Sequence, residues 1–416
     1  MSTSNRQYEL VIFGATGYTG KLAAEHVATH LPTDLRWALA GRSASKLEAV
    51  AAECKELNPN RIQPGIEVCN LDDAELSALA KKTKLILATV GPYALHGERC
   101  FKACAENGTH YIDVTGEVPW VADMIRKYEK TAKENGSIMI PQCGVESAPP
   151  DLVTRVLVDT IREKYSAPTG EVVVSLHELS SKPSGGTLAT VFTLLDVYSL
   201  KEVGASMEPY ALSPIPAPKV RDSTSFFSRL LTKLVGIKVV PDLGILTTSI
   251  AGRTDLPIIH RSWGMLGGAD FYGPNFHVSE YMKARNYLTA IALHFGLLIG
   301  GMVLCIPLFR RVMSKYVYQP GEGATKEQYK RDRVEYRAIA KPDLGKPKTP
   351  RVFCRAHFEG SAYALTGILL AQGAMTILRD NHELSGGVYT PASLGQKFVD
   401  RLEEGGMRFE KKFYEE

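Results

Sequence analysis

The feature that most constrains the fold is a run of three glycines between an apolar stretch and a helical pattern near the N-terminus. The run reads Gly14-Ala15-Thr16-Gly17-Tyr18-Thr19-Gly20 and directly follows Leu10-Val11-Ile12-Phe13. In a strand, turn and helix of this kind, backbone approaches phosphate oxygens where a Cβ atom would clash, and the helix start points N–H groups at the anion. The spacing is Gly-x-x-Gly-x-x-Gly rather than Gly-x-Gly-x-x-Gly, so the strand and helix context carries the prediction of a dinucleotide site.

Apolar runs alternate with amphipathic helical patterns through the first half of the chain. The runs that read as strands lie at about 8–14, 35–41, 65–71, 84–90, 110–114 and 137–142. A regular β-α-β-α order predicts an α/β chain with an N-terminal doubly wound parallel (Rossmann) sheet.

The pattern changes after Pro149-Pro150, where strand-like text at about 171–178 and 256–280 mixes with helical stretches and a proline-spaced linker. We predict a dinucleotide-binding domain at 1–150, a second α+β domain for substrate or dimer contacts at 151–359, and C-terminal helices at 360–416.

Composition and cysteine usage indicate an ordinary intracellular protein. The 416 residues are 23% charged and 44% hydrophobic, which is typical of globular domains. The seven cysteines show no Cys-x-x-Cys spacing, so we predict reduced thiols. No His, Cys, Asp or Glu cluster has metal-ligand spacing, so no metal is expected. The short polar segment before the first strand leaves no room for a signal peptide, which predicts a cytoplasmic location unless a lipid surface holds the protein.

The end of the second predicted strand indicates which nicotinamide cofactor binds. An NAD site usually places Asp or Glu there, to accept hydrogen bonds from the ribose 2′-hydroxyl. This chain has Ala40-Gly41-Arg42-Ser43 followed by Lys46. A guanidinium, a hydroxyl and an ammonium group pair with a 2′-phosphate, so NADP(H) is the predicted cofactor.

These segments resemble the saccharopine dehydrogenase-like oxidoreductases, a family that includes trans-acting enoyl reductases, over almost the whole chain. The matching segments are the glycine run, Ala40-Gly41-Arg42, Val90-Gly91-Pro92-Tyr93 with Gly97 and Cys104, Gly108-Thr109-His110-Tyr111-Ile112-Asp113-Val114-Thr115-Gly116-Glu117, Ser184-Gly185-Gly186-Thr187 and Thr390-Pro391-Ala392. The chain departs from the family's Gly-Phe-Asp-Ser-Ile-Pro-x-Asp at Gly144-Val145-Glu146-Ser147-Ala148-Pro149-Pro150-Asp151, and from its Asp at the end of the third strand at Asn70. The resemblance implies that the C-terminal helices return to the first domain.

Candidates for the chemistry lie at the predicted carboxyl ends of strands. Val90, Gly91 and Pro92 end the fourth strand, where cofactor and substrate meet in such folds. Because no tyrosine is followed by a lysine four residues later, the short-chain dehydrogenase mechanism is excluded. The weak candidates for a proton donor are Tyr93, Asp113, Thr115, Glu117 and Glu146, and water is an alternative source of the proton. A packed aromatic ring is the alternative role for Tyr93.

An uncharged apolar segment at 287–309 indicates a lipid surface. Lys283 and Arg285 precede it and Arg310 and Arg311 follow it, and the stretch from 310 to 351 holds twelve Lys or Arg against five acids. Basic residues at both ends disfavour insertion in one direction. We predict a monotopic helix, in plane or bent at Gly300-Gly301 and Pro307, on a membrane or lipid droplet. The apolar stripe of Phe226, Phe227, Leu230, Leu231 and Leu234 supports it. A spanning helix, or a buried core helix with a homodimer interface, are the alternatives.

Three functions follow from these features. The first is an NADPH-dependent oxidoreductase, an enoyl reductase acting on a hydrophobic lipid, glycolipid or polyketide-derived acyl group that is free or carried by another protein. The second is a saccharopine-type amino acid dehydrogenase, which would need more arginines than the second domain offers. The third is a non-catalytic scaffold on a lipid droplet or membrane with a retained Rossmann fold. Nucleic acid is not an expected partner.

Overall fold

The computed structural model describes residues 6–180, 185–218, 226–313, 332–346 and 348–415. Within these residues the strands are β1 Tyr8–Phe13, β2 Trp37–Gly41, β3 Gly65–Val68, β4 Thr83–Ala88, β5 His110–Asp113, β6 Ile138–Ile140, β7 Thr169–Leu179, β8 Lys238–Val240, β9 Gly244–Thr248, β10 His277–Lys283, β11 Arg333–Pro342, β12 Arg351–Glu359, β13 Gly387–Val388 and β14 Arg408–Tyr414.

The helices of the described residues alternate with the early strands and cluster in the later part of the chain. They are α1 Tyr18–His30, α2 Ala44–Leu57, α3 Asp73–Lys81, α4 Tyr93–His96, α5 Glu98–Glu106, α6 Val118–Asn135, α7 Ala148–Tyr165, α8 Gly185–Val197, α9 Leu200–Ser206, α10 Phe226–Val235, α11 Gly252–Met265, α12 Tyr287–Leu304, α13 Pro307–Met313, α14 Ala362–Arg379 and α15 Gly395–Glu404.

The first sheet is the predicted doubly wound parallel sheet. Its strand order is β13-β6-β5-β4-β1-β2-β3, and each pairing is parallel. Both of its faces are buried: Leu10 and Ile12 of β1 belong to one core and Val11 and Phe13 to another. Helices on both faces explain why the strands read as continuous apolar runs rather than alternating ones. The fold class predicted from the sequence is confirmed.

The second sheet is mixed, as an α+β domain requires. Its order is β14-β12-β11-β7-β10-β9-β8; β7 and β10 run parallel and the other neighbours run antiparallel. Helix α7 packs across β7, β11 and β12. Pro149 and Pro150 lie in its first turn, where a missing backbone N–H costs nothing, so the change of pattern after them is the start of a helix.

Two stretches of the second domain differ from the sequence-based expectation. The segment at 256–280, which was predicted to be a strand, begins within helix α11 and reaches a strand only at β10. A short buried apolar run has the same sequence pattern in a strand and in a core helix. Within the basic stretch from 310 to 351, residues 333–342 form β11, an interior strand of the second sheet. Two of its charges pair across the sheet: Lys341 with Glu171 of β7, and Glu335 with Arg355 of β12, each at 2.7 Å.

The C-terminal part of the chain returns to the first sheet. Fourteen of the 18 residues of α14 are buried, and the helix packs on α1. Gly367 allows the close approach, since a Cβ there would lie 3.0 Å from the backbone of Leu22 and Ala23. The segment is not purely helical, because β13 adds to the first sheet and β14 to the second.

Buried polar contacts join these parts. Asp151 accepts hydrogen bonds from Ser262 Oγ at 2.6 Å and from the backbone N–H of Ala392 at 2.9 Å, and the Ser262 hydroxyl lies 2.6 Å from that of Thr390. The Asp151 and Thr390-Pro391-Ala392 motifs therefore have a structural role that connects α7, α11 and the C-terminal segment. Burial raises the pKa of Asp151 to about 7.

Candidate functional site

The glycine run forms a tight turn between β1 and α1. Gly14 has a positive φ of +92° and its N–H bonds to Ala40 O at 2.9 Å. A Cβ on Gly20 would lie 2.3 Å from Gly14 O, so the first turn of the helix lies directly against the backbone of the loop. Gly17 is the N-cap of α1, and none of the described side chains caps that helix end. An open helix N-terminus beside bare backbone fits a diphosphate.

The cationic corner lies past the end of β2. Ala40 pairs with Phe13 in the register of the two strands, so the residues that follow emerge beside the glycine turn. Arg42 and Lys46 are exposed, and within the described part of the chain neither makes an ion pair. Ser43 is the N-cap of α2, and among the described residues its hydroxyl contacts only Ser45 Oγ, at 3.3 Å. Two uncommitted cations and a hydroxyl fit the 2′-phosphate of NADP(H).

The end of β4 forms the opposite wall of this site. A Cβ on Gly14 would lie 2.8 Å from both Thr89 Oγ1 and Val90 Cγ2, so the β4 end packs against the glycine turn. Gly91 is exposed and its peptide bond to Pro92 is cis. Val90, Gly91 and Pro92 therefore lie at the carboxyl edge of the sheet next to the predicted cofactor residues.

The structure places Tyr93 in the core rather than facing a substrate. Its side chain is 5% exposed, its hydroxyl donates to Ala88 O at 2.8 Å, and the backbone N–H of Val114 donates to that hydroxyl at 3.4 Å. Burial raises the pKa of the phenol well above its ordinary value. This is the packed arrangement that the sequence left open as the alternative to a catalytic phenol.

Asp113, Thr115 and Glu117 form a buried brace at the end of β5. Asp113 Oδ1 accepts from the backbone N–H groups of Thr115 and Gln142, at 2.9 and 3.0 Å, and the Thr115 hydroxyl accepts from Glu117 N at 3.1 Å. The Glu117 carboxylate accepts from two backbone N–H groups at the start of α4, each at 2.7 Å. Burial raises the pKa of Asp113 to about 7. All three side chains are committed to holding loops in place.

Glu146 is the candidate that reaches open space. It lies in the loop between β6 and α7, its side chain is exposed, and its Oε2 lies 3.0 Å from the Cβ position of Gly116, in the loop after β5. Surrounding protein nevertheless raises the pKa of its carboxyl by desolvation. A group that is both accessible and surrounded by protein lies in a cleft, here at the carboxyl edge of the first sheet.

Sequence reasoning missed the residues that face Glu146 from the second domain. Thr254 Oγ1 of α11 lies 3.4 Å from Glu146 Oε1, and Asp255 and Glu280 lie behind it, fully buried or nearly so. Gln142 was also missed: its side chain is buried, its φ is +61°, and neither amide atom has a partner among the described residues. These positions are far apart in sequence and show no motif. Grouped side chains that could hold a metal ion were not found in the part of the chain that is described.

Helix α12 is strongly apolar and lies mostly exposed. Only Ala290 and His294 of its 18 residues are buried, whereas Leu288 is 78% and Met302 64% exposed. Two helices, α12 and α14, are long and apolar enough to cross a membrane, but α14 is mostly buried in the protein. Helix α12 continues through Gly300-Gly301 and ends at Leu304, and α13 begins at Pro307, so of the two predicted bend positions the helix is interrupted at Pro307.

The flanks of α12 differ from the expectation of free basic anchors. Arg310 is buried and hydrogen-bonds to Asp196 of α8 at 3.2 Å, because α13 turns back onto the protein. Arg285 is exposed, as predicted. In α10, Leu230, Leu231 and Leu234 are exposed, while the side chains of Phe226 and Phe227 lie outside the described residues, as does Ser184.

Comparisons with known proteins show which family and which fold this chain is similar to. Residues 10–140 match the saccharopine dehydrogenase NADP-binding domain. Trans-acting enoyl reductases are similar over 98% of this chain and 98% of their own length, at 30% identity for Mycobacterium tuberculosis and 29% for Mycobacterium ulcerans. Among solved structures, saccharopine dehydrogenase (L-Glu forming) from Saccharomyces cerevisiae has a TM-score of 0.54 at 13% identity, covering 98% of this chain and 100% of that one. Homospermidine synthase from Legionella pneumophila, solved with NAD, has a TM-score of 0.53 at 9% identity, covering 98% and 92%. At these identities the two structures show a shared fold.

Proposed function

We infer the function from family membership: this chain belongs to the saccharopine dehydrogenase-like oxidoreductases, the family of the trans-acting enoyl reductases. It is an NADP-dependent oxidoreductase. We propose that its acceptor is the C=C bond of an enoyl group on a hydrophobic acyl chain, and that it works at the surface of a membrane or lipid droplet.

The lack of a cation beside Glu146 carries the proposal of an acceptor without carboxylates. Glu146 opens to the cleft with Asp255 and Glu280 buried behind it, and no Lys, Arg or His in the described part of the chain bonds to any of them. A substrate with several carboxylates, as saccharopine-type chemistry requires, would find no cation to pair with here. An acyl chain carries no such charge at its reacting carbons.

The roles of the residues follow from their positions. The backbone from Gly14 to Gly20 and the start of α1 would hold the diphosphate, and Arg42, Ser43 and Lys46 would hold the 2′-phosphate. Val90, Gly91 and Pro92 would border the nicotinamide side of the cleft. When bound, the reduced cofactor supplies the hydride. The buried brace of Asp113, Thr115 and Glu117 would keep the loops that border this site fixed.

The test is reduction of medium- and long-chain enoyl thioesters by the purified protein with NADPH. We expect NADPH oxidation that depends on the acceptor, with the saturated thioester as product by mass spectrometry, and little turnover with an amino acid plus oxo acid. Tight NADPH binding without turnover on any acceptor would contradict the proposal and favour the non-catalytic scaffold.

The lipid surface is proposed from the exposure of α12. Burying Leu288, Leu298 and Met302 in acyl chains would remove from water apolar side chains that now lie exposed. Arg285 at one end would contact anionic headgroups.

Flotation with vesicles of phosphatidylcholine and anionic phosphatidylserine tests this surface. We expect the wild-type protein to float and Leu288→Ser/Met302→Ser to remain in the soluble fraction. Leu57→Ser, which alters an exposed leucine on α2, is the matched control and should float like the wild type. Equal flotation of all three proteins would place the lipid contact elsewhere.

A further inference from the structure

We propose that Asp255 and Glu280 form a buried proton store and that Glu146, connected to it through the Thr254 hydroxyl, delivers the proton of the reduction to the substrate. The inference rests on the proposed enoyl reduction, because it names the source of the proton that this reaction consumes. Glu146 is the catalytic residue of the proposal, and Asp255, Glu280 and Thr254 are positioning residues.

The first observation is the pairing of the two buried carboxyls. Ser147 donates to Asp255 Oδ1 at 3.2 Å, and Ser249 donates to Glu280 Oε1 at 3.0 Å. The other oxygens, Asp255 Oδ2 and Glu280 Oε2, are buried and have no other donor among the described residues. The two carboxyls lie close enough to perturb each other's pKa. Two carboxylates have no hydrogen to share, so one proton kept by the pair would supply the donor that these two buried oxygens lack.

The surroundings favour retention of that proton. Asp255 is fully buried and Glu280 is 7% exposed. The titratable group facing them from β11 is Tyr336, which is itself buried and whose pKa is raised well above its ordinary value. Burial raises the pKa of Glu280 to about 7 and, together with the charges of Glu280 and Glu146, raises that of Asp255 well above its usual range. The pair therefore carries a proton at neutral pH.

The second observation is the connection from the pair to the cleft. The Thr254 hydroxyl lies 3.3 Å from Asp255 Oδ1 and 3.4 Å from Glu146 Oε1, and it also contacts Ala251 O at 2.6 Å. A hydroxyl both accepts and donates, so it passes a proton from Asp255 to Glu146 when it turns away from the carbonyl. Both distances are long for such bonds, as is common before a substrate closes the site.

Glu146 is placed to use this proton. Its Oε2 lies against Gly116 at the sheet edge where the cofactor residues are, and its side chain is open to the cleft. The loop that carries it also holds Gln142, whose buried amide has no described partner and so has capacity to bind one more polar group. The loop thus combines a delivering carboxyl with an unused donor and acceptor at one sheet edge.

The step balances without a further reactant. The hydride adds to one carbon of the double bond and brings both electrons of the reduction. The other carbon takes a proton from Glu146, which regains one through the Thr254 hydroxyl from Asp255. The pair, now doubly ionised, takes a proton from water after the product leaves. Asp255 and Glu280 touch no substrate in this scheme.

The experiment compares Thr254→Val, which removes the hydroxyl at nearly constant shape, with Thr254→Ser, which keeps it. We expect Thr254→Val to lower kcat for enoyl reduction by about 10- to 100-fold with unchanged NADPH affinity, and Thr254→Ser to stay within about twofold of the wild type. Glu146→Gln should lower kcat by about 100-fold or more. Thermal unfolding of each variant checks that it folds. Full activity of Thr254→Val overturns the relay.

Infrared spectroscopy of the cofactor-free protein tests the store separately from the reaction. At pH 7 we expect a protonated-carboxyl band that Asp255→Asn and Glu280→Gln each reduce and that Glu117→Gln leaves in place. A band insensitive to both changes overturns the proton store, whatever the activity. If the wild type oxidises no NADPH with any acceptor, the proposed function fails, and the infrared result still decides whether the pair holds a proton.

Discussion

Replacement of Gly20 by alanine tests the most constrained point of the cofactor site. The added Cβ would lie 2.3 Å from Gly14 O and 2.9 Å from Ala15 Cα, and both contacts are backbone atoms that cannot rotate away. Reaching an ordinary van der Waals contact of 3.4 Å with Gly14 O requires the turn and the helix to separate by about 1 Å. Alanine gains up to about 1 kcal/mol in helix propensity, whereas overpacking costs about 1–3 kcal/mol. We expect a net loss of about 1–2 kcal/mol in unfolding free energy.

The same displacement should weaken NADPH binding by at least about tenfold, because the turn that would hold the diphosphate moves. Denaturant unfolding and fluorescence titration with NADPH measure the two effects. Gly17→Ala is the matched control: the backbone there has φ −76° and ψ 163°, which alanine adopts, and the new Cβ meets only Gly14 O at 3.2 Å. It should change stability by less than about 0.5 kcal/mol and still weaken NADPH binding. Wild-type stability and affinity for Gly20→Ala would refute the reasoning.

Three further changes have defined outcomes. Arg42→Ala should weaken NADPH binding about 10- to 100-fold and leave NADH binding unchanged, since a charge-assisted bond contributes about 1.5–3 kcal/mol. Titration with NADPH and NADH measures both affinities, and Arg126→Ala is the surface-charge control. Equal losses of affinity for the two nucleotides would be contrary evidence. Glu117→Gln should lower the unfolding free energy by about 1–3 kcal/mol, because an amide N–H then faces a backbone N–H; an unchanged denaturation midpoint would disagree. Burial raises the pKa of Asp113 from 3.8 to about 7, so the folded protein binds a proton that the unfolded chain releases. Its contribution to stability is therefore lost as pH rises from about 4 through about 7, and denaturation curves for Asp113→Asn should depend less on pH over that range.

The first sheet could be predicted from the sequence because its strands are buried on both faces. Runs such as Leu10-Val11-Ile12-Phe13 are apolar without alternation, and the glycine turn fixes where the first strand ends. The position of Arg42 could also be predicted, because it directly follows the second strand, which is the next strand after the glycine turn in chain order. Helix α11 could not be predicted, because its buried apolar run around Ile258 and Ile259 is as short as the apolar run of a strand.

The side of the cleft that carries Glu146 depends on contacts between residues that are distant in sequence. Glu146, Thr254 and Glu280 come from three separate elements, and only the packing of α11 and β10 beside the β6–α7 loop brings them together. Strand β11 was hidden for a related reason. Its charged residues belong to the basic stretch that indicated a lipid surface, but Lys341 pairs with Glu171 of β7 and Glu335 pairs with Arg355 of β12 within the sheet.

The late return of the chain to its first sheet has a consequence for biosynthesis. Strand β13 ends at Val388, and α14, which covers α1, ends at Arg379. When a ribosome has produced only the first 150 residues, the edge of β6 and the apolar face of α1 lack the elements that cover them. During synthesis, the edge of β6 and the apolar face of α1 therefore stay exposed, and accessible to chaperones, until almost all of the polypeptide has emerged from the exit tunnel.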